Sequence, residues 1–293
     1  MSDAPTTTAN RGPDNSPKRP QIKVPAGACD SHIHIFGPER QYPFVRNAAY
    51  RAPDATPADY LQLMQRLGLA RAVIVHPAAI GTDNRRTLDA MAEYPALFRG
   101  IIIPSDGLNG AALRDLDRRG VRGIRFSSVG GQAGQQTIDQ GLASHLADLG
   151  WHAQVHVENA QILDLETIIR KLPCDAVIDH MARIPAAWGI GHPAFRCLLS
   201  LVETGRVWVK LSAPMRYSAA DRPPYADVTP MARALAAAAP DRMLWGTDWP
   251  HVHFNRGIIP NDADLLDLLA VWVPDAAVRQ RILVDNPARL YRF

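Results

Sequence analysis

After about residue 25 the chain alternates short apolar runs, most of them rich in Val or Ile, with amphipathic stretches of ten to eighteen residues. That alternation predicts strands and helices in turn, the pattern of a parallel α/β fold. Eight runs read as strands: Ala28 to Ile35, Ala72 to His76, Phe98 to Ile103, Val121 to Phe126, His152 to Val157, Ala176 to His180, Val207 to Leu211 and Met243 to Gly246. Between them, apolar side chains recur at helical spacing, as in Tyr60, Leu61, Met64 and Leu67, or Leu142, Leu146 and Leu149. Gly68, Gly120, Gly150 and Gly205 follow as stop signals. Met231 to Ala239 is almost all Ala, Leu and Met, which favours helix. The final helices are expected over 262–273 and 274–283.

Eight β/α pairs in roughly 260 residues fit a single (β/α)8 barrel. A doubly wound open sheet is the competing arrangement. Against it, no GxGxxG follows the first strand, and polar residues recur at strand ends along the whole chain. Those ends converge on one face only in a barrel. The barrel is expected over residues 25–293. Residues 1–24, rich in Pro, Thr, Asn and Asp and lacking the apolar stretch of a secretory signal, read as a disordered arm on a cytoplasmic protein.

Of the 293 residues, 47% are hydrophobic and 21% charged, enough to bury a sizeable core. The net charge is +3 with no run of five or six like charges, so neither a nucleic acid nor a membrane surface is an expected partner. The longest apolar stretches fall short of the roughly 20 residues that span a bilayer. Cys29, Cys174 and Cys197 are odd in number and form no CxxC pair, so buried reduced thiols are expected. Arginine heavily outnumbers lysine throughout, so no arginine is singled out by residue type alone.

Candidate chemistry gathers at the strand ends. The first predicted strand carries Asp30-Ser31-His32-Ile33-His34, and period-two geometry points both imidazoles to one face, where they could share a metal. His156 lies at the end of the fifth predicted strand, His180 closes the sixth, and Asp248 follows the eighth.

The segments PAGACDSHIHIFGP, GTDNRRTLDAMA, VRGIRF, VIDHMAR and LWGTDWPH, in this order, resemble the amidohydrolase superfamily. More narrowly, they resemble the branch holding 2-pyrone-4,6-dicarboxylate lactonase, the sulfomuconolactone hydrolases and a galactarolactone isomerase. The resemblance implies that His32, His34, His156 and Asp248 bind one divalent metal, zinc by ligand type, with His180 bonding the attacking water or the substrate carbonyl and Asp248 moving protons. The pyrone lactonase resembles the chain closely but has Tyr where His156 stands and works without a metal, so metal-free hydrolysis remains the mechanistic alternative. The lysine that bridges two metals elsewhere in the superfamily has no counterpart; Arg125 stands there. A single metal and an anion anchor follow, since guanidinium binds a carboxylate or sulfonate with two parallel hydrogen bonds. Strand alternation points Arg125 inward with Gly123, and Arg122 outward toward a surface acid.

By the same resemblance Arg183 and Arg216 match substrate-binding arginines. A further arginine of the dicarboxylate enzyme is absent from Ser127-Ser128-Val129-Gly130-Gly131, whose hydroxyls can donate to a sulfonate or carboxylate. This favours a sulfomuconolactone over a flat pyrone with two ring carboxylates. His76 could line the pocket or pack a loop. His251, within the shared TDWPH motif, reads as a group that fixes the loop or orients Asp248. His253 is expected at the rim, and His145, His152 and His192 as structural. The expected partner is a small anionic lactone, with monomer or homodimer left open. A zinc decarboxylase, a lactone isomerase and a non-catalytic binding protein are the rival readings. Asn in place of Asp248 in the isomerase argues against isomerisation.

Overall fold

The computed structural model describes residue 12 and residues 17–105, 107–127, 140–254 and 258–293. Its strands are β1 (Cys29–Ile33), β2 (Arg71–Val75), β3 (Phe98–Ile102), β4 (Val121–Ser127), β5 (His152–His156), β6 (Asp175–Ile178), β7 (Val207–Ser212) and β8 (Met243–Gly246). They pair in parallel in sequence order, β1 to β8. Helices α1 (Pro57–Leu67), α2 (Arg85–Glu93), α3 (Gly110–Arg118), α4 (Gln140–Asp148), α5 (Gln161–Lys171), α6 (Pro193–Val202), α7 (Thr229–Ala238) and α8 (Asp262–Trp272) lie between and after the strands. A run of α9 (Ala276–Gln280), a π turn over Arg281–Asp285 and α10 (Asn286–Tyr291) ends the chain. This is the (β/α)8 barrel that the alternation predicts.

Local chemistry sets the element ends. In α1, Thr56 caps the helix and exchanges hydrogen bonds with Asp59, Pro57 occupies the first turn, and Gly68 closes it at φ 75°. Its buried stripe is Tyr60, Leu63, Met64 and Leu67, with Leu63 taking the core place expected of Leu61. The last helical run continues past residue 283, because Asn286 donates to the carbonyls of Pro240 and Met243 and holds the π turn against the barrel.

Two apolar clusters result. The larger lies between sheet and helices, and the smaller includes Cys29, Val73, Val75, Ile101, Val177, Trp208, Leu244 and Tyr291. All three cysteines are buried and free, as expected. Arg122 meets Asp117 at 3.2 Å, the surface acid that strand alternation called for. No helix among the described residues is long and apolar enough to cross a membrane.

The seam between β8 and β1 closes the barrel without a regular ladder. Ile33 and Trp249 form an isolated parallel bridge, the His34 amide donates to the Trp249 carbonyl at 2.8 Å, and the Asp248 amide donates to the His32 carbonyl at 2.9 Å. Asp30 accepts from the amide and hydroxyl of Thr247 at 3.0 and 2.6 Å. Gly246 permits this approach, since a Cβ there would stand 2.8 Å from the His32 amide nitrogen.

The segment expected to be disordered ends in a placed stretch. Lys18 pairs with Asp264 at 3.0 Å, and the amides of Gln21 and Ile22 both donate to Asp267, so this stretch runs along α8.

Candidate active site

The carboxyl ends of the strands bring four side chains to the floor of a cleft. His32 and His34 approach edge to face with ring centroids 5.0 Å apart, and the His180 ring lies 4.5 Å from that of His32. Asp248 follows β8 with left-handed backbone, φ 67°, a conformation uncommon for a residue with a Cβ and held here by the seam bond from its amide. Arg216 clasps one carboxylate oxygen, Oδ2, with Nε at 2.7 Å and a terminal nitrogen at 2.6 Å. The other, Oδ1, faces His34 Nε2 at 3.5 Å, His180 Nε2 at 3.6 Å and His32 Nε2 at 3.7 Å. Burial works to raise the Asp248 carboxyl, but Arg216 and the histidines hold it well below the usual carboxylate range. His180 is pushed down to about 3 by burial, against the pull of Asp248. At neutral pH the floor therefore holds a carboxylate, Asp248, beside a neutral His180 imidazole.

Beneath it lies a second charged layer. Asp179, directly after β6, is fully buried, as is Lys210 in β7. Asp179 Oδ2 accepts from Arg125 Nε at 3.1 Å and Gln154 Nε2 at 3.2 Å, while Lys210 Nζ donates to Gln154 Oε1 at 2.9 Å. Burial would raise the Asp179 carboxyl; Lys210, His32 and Arg125 keep it well below its ordinary value. Burial lowers the Lys210 ammonium to about 8 in spite of Asp179.

Arg125, His156, Tyr50 and His253 line the cleft beside His34, His180, Arg216 and Asp248, with His32 fully buried behind them. Tyr50 and His253 stack with centroids 5.3 Å apart and planes 16° from parallel. Burial, with Arg125 second, lowers His156 well below the usual histidine range, and its Nδ1 meets Ser127 Oγ at 3.1 Å.

The donor set fits a divalent metal. Ligand atoms of His32, His34 and Asp248 all lie within 4.8 Å of one another. With metal–ligand bonds near 2.0–2.1 Å, donors of a tetrahedral zinc shell stand about 3.3 Å apart, close to the spacings around Asp248 Oδ1. His34 Nδ1 bonds the Val75 carbonyl at 2.7 Å, which requires its N–H there and turns the Nε2 lone pair to the floor. His32 Nε2, fully buried, faces Asp248 Oδ1 at 3.7 Å.

The amidohydrolase family model matches residues 29–293. The chain belongs to that family. Among curated relatives, this amidohydrolase is 41% identical to a 4-sulfomuconolactone hydrolase of Rhizobium radiobacter over 92% of this chain and 91% of the other. It is 36% identical to a protein of Comamonas testosteroni named as a 2-pyrone-4,6-dicarboxylate hydrolase, over 94% and 93% of the two chains. An apo crystal structure from Agrobacterium tumefaciens superposes with a TM-score of 0.85 at 30% identity, covering 95% of this chain and 98% of that one. The branch inferred from the motifs is the branch to which these relatives belong.

The residues named from sequence separate into two groups. His32, His34, His180, Asp248, Arg216, Arg125, His156 and Ser127 come together at the cleft or directly against a residue that lines it. His156, however, stands outside the group of ligand atoms formed by His32, His34 and Asp248. His180 does not close β6: it sits just beyond Asp179 in a left-handed turn, φ 52°, with Nδ1 at 2.8 Å from Ser212 Oγ. Arg216, expected to bind substrate, lines the cleft and also bonds Asp248 and the Val252 carbonyl. Arg183 pairs with Glu158 at 3.1 Å and His76 with Thr87 Oγ1 at 2.9 Å; neither lines the cleft. His251 bonds Asp262 at the start of α8 at 2.9 Å, and its amide donates to the Asp248 carbonyl, which ties the loop to α8. Trp249 packs on Tyr60, with ring centroids 5.4 Å apart. His192 caps α6 and His152 is buried at the start of β5, both structural. Ser128 lies outside the described residues.

Sequence reasoning missed Tyr50, Gln154, Asp179 and Lys210. A signal existed for two of them. Gln154 shares the period-two register of His156 on β5, and Lys210 is a lone charge within the apolar strand VWVKLS.

Proposed function

We propose that this amidohydrolase hydrolyses the ester bond of an anionic lactone, with a sulfomuconolactone as its substrate and one divalent metal, zinc by ligand type, at His32, His34 and Asp248. The observation that carries the reading is Asp248, with one oxygen clasped by Arg216 and the other facing three imidazole nitrogens at 3.5–3.7 Å, in a cleft walled by Arg125. The 41% identity to a 4-sulfomuconolactone hydrolase over nearly the full length of both chains supports the substrate class.

When bound, the metal would supply Lewis acidity and lower the pKa of water at the site. The chain's own residues do the rest. Arg125 anchors the substrate's anionic arm and orients the lactone carbonyl toward the floor. His180, with Nδ1 tied to Ser212, presents Nε2 to the carbonyl oxygen as charge develops on it. Asp248 takes the proton of the attacking water through Oδ1 while Arg216 holds its other oxygen. Water oxygen bonds to the carbonyl carbon, the ring C–O bond breaks, and the proton returns to the departing oxygen. The product gains one water and one carboxylate, as in the breakdown of aromatic compounds through ring-opened acids.

The test is elemental analysis of protein purified without chelator, with turnover of 4-sulfomuconolactone and 2-pyrone-4,6-dicarboxylate followed by mass before and after metal removal. About one zinc per chain, and activity lost on stripping and restored by zinc, is the expected result. Full activity without metal would overturn the metal and leave Asp248 acting on free water; a product of unchanged mass would make the reaction an isomerisation. Asp248→Asn should cut kcat by about 10²–10⁴ with the fold intact, and retained turnover would remove Asp248 as the base.

A further inference from the structure

The barrel interior holds a charge that hydrolysis leaves without a task. Lys210 Nζ lies 2.9 Å from Gln154 Oε1, 3.2 Å from His32 Nδ1 and 3.3 Å from Asp179 Oδ1. His32 Nδ1 is itself 3.3 Å from the same Asp179 oxygen. One imidazole nitrogen thus stands between an ammonium, which only donates, and a carboxylate, which only accepts. It cannot satisfy both.

The two choices differ at the other end of the ring. With its proton on Nδ1, His32 donates to Asp179 and Nε2 carries the lone pair that a metal needs. With Nδ1 bare, it accepts from Lys210, and Nε2 carries the proton and cannot bind a metal. The heavy-atom positions favour the second. Lys210 Nζ meets Nδ1 in hydrogen-bond geometry at 3.2 Å, whereas Asp179 Oδ1 meets both groups only as a 3.3 Å ion-pair contact.

We infer, on the reading of His32 as a metal ligand, that Lys210 and Asp179 are positioning residues that set the tautomer of His32 and with it the readiness of the site for a cation. Lys210 holds His32 in the closed form, and Asp179 draws it to the open one. On opening, one proton leaves Nε2 for solvent and one is taken up at Nδ1, so the ring stays neutral and no net proton is released. Lys210 remains an ammonium and turns to Asp179 and Gln154. Asp179 is kept in reach by Arg125 and Gln154 on its other oxygen, which also ties the device to the anion anchor.

A pair that merely held the barrel together would weaken metal binding whichever partner were removed. The tautomer pair gives opposite signs. Lys210→Met removes the competing donor and should tighten zinc about 10-fold, whereas Asp179→Asn leaves Lys210 unopposed and should weaken it about 10–100-fold, both read by competition with a chromophoric chelator. Nitrogen-15 NMR of the imidazoles reads the tautomer directly: proton on Nε2 in the metal-free parent, on Nδ1 in the zinc-loaded parent and in metal-free Lys210→Met. A metal-free parent already protonated on Nδ1, or two variants that shift zinc affinity in the same direction, overturns the inference. If the parent binds no zinc, the metal reading fails by itself, and the spectra of the metal-free parent and Lys210→Met still decide the tautomer. Should the variants fail to fold, the metal-free parent alone decides it.

Discussion

Thr247→Val tests whether the β8–β1 seam holds both the fold and the floor of the cleft. The substitution keeps the shape of the side chain and removes one hydroxyl. That hydroxyl donates to Asp30 Oδ2 at 2.6 Å and accepts from the Trp249 amide at 3.0 Å. Burial raises the Asp30 carboxyl to about 7, so the bond that it accepts contributes between about 1 and 3 kcal/mol, and a buried amide left without an acceptor costs about 1–3 kcal/mol. Asp30 keeps three donors, the Thr247 amide at 3.0 Å, the His32 amide at 3.1 Å and the Tyr60 hydroxyl at 3.1 Å, so its own loss is limited. The sum is about 3 kcal/mol. At roughly 2–4 °C per kcal/mol for a large domain, Tm should fall by about 6 °C or more. Because Asp248 is the next residue and its amide bonds β1, kcat should fall as well. Scanning calorimetry of the parent, Thr247→Val and Thr247→Ser is the assay, with serine recovering most of the loss. A Tm within about 2 °C of the parent, or a serine variant as unstable as the valine, would refute the seam's role.

Two further outcomes are expected. Arg125→Met should raise KM for the anionic lactone about 10–100-fold, the loss of one charged hydrogen bond or more, with a smaller change in kcat; an unchanged KM would take Arg125 out of substrate binding. His76 and His152 are both pushed down to about 3 by burial, against about 6.5 in an unfolded chain. Below pH 6.5 the unfolded chain takes up protons that the fold refuses. Stability is therefore full above that pH and declines toward pH 3, by up to about 1.4 kcal/mol per pH unit for each histidine. Urea midpoints at pH 7 and pH 5 should differ accordingly, and His76→Asn should make the decline shallower; midpoints that stay level would contradict the burial argument.

The barrel and the strand-end residues were readable in the sequence because both depend on local periodicity. Alternation of apolar runs determined eight strands in order, and period-two spacing placed His32 and His34 together. Position at a strand end likewise marked His156 and Asp248, and the family resemblance marked Arg125. Only the tertiary structure decided what each of them touches. Arg216 and His76 were both visible as polar residues after strands, yet one turns to Asp248 and the other to Thr87. The left-handed turns at His180 and Asp248 are stabilised by contacts from neighbouring strands, which no run of sequence displays. Lys210, Asp179 and His32 come from β7, the end of β6 and β1, and meet within 3.3 Å only once the barrel has closed. Spacing along one strand specifies a face and a height; the distances between strands, on which ion pairs, tautomers and metal geometry depend, follow from how the sheet closes on itself.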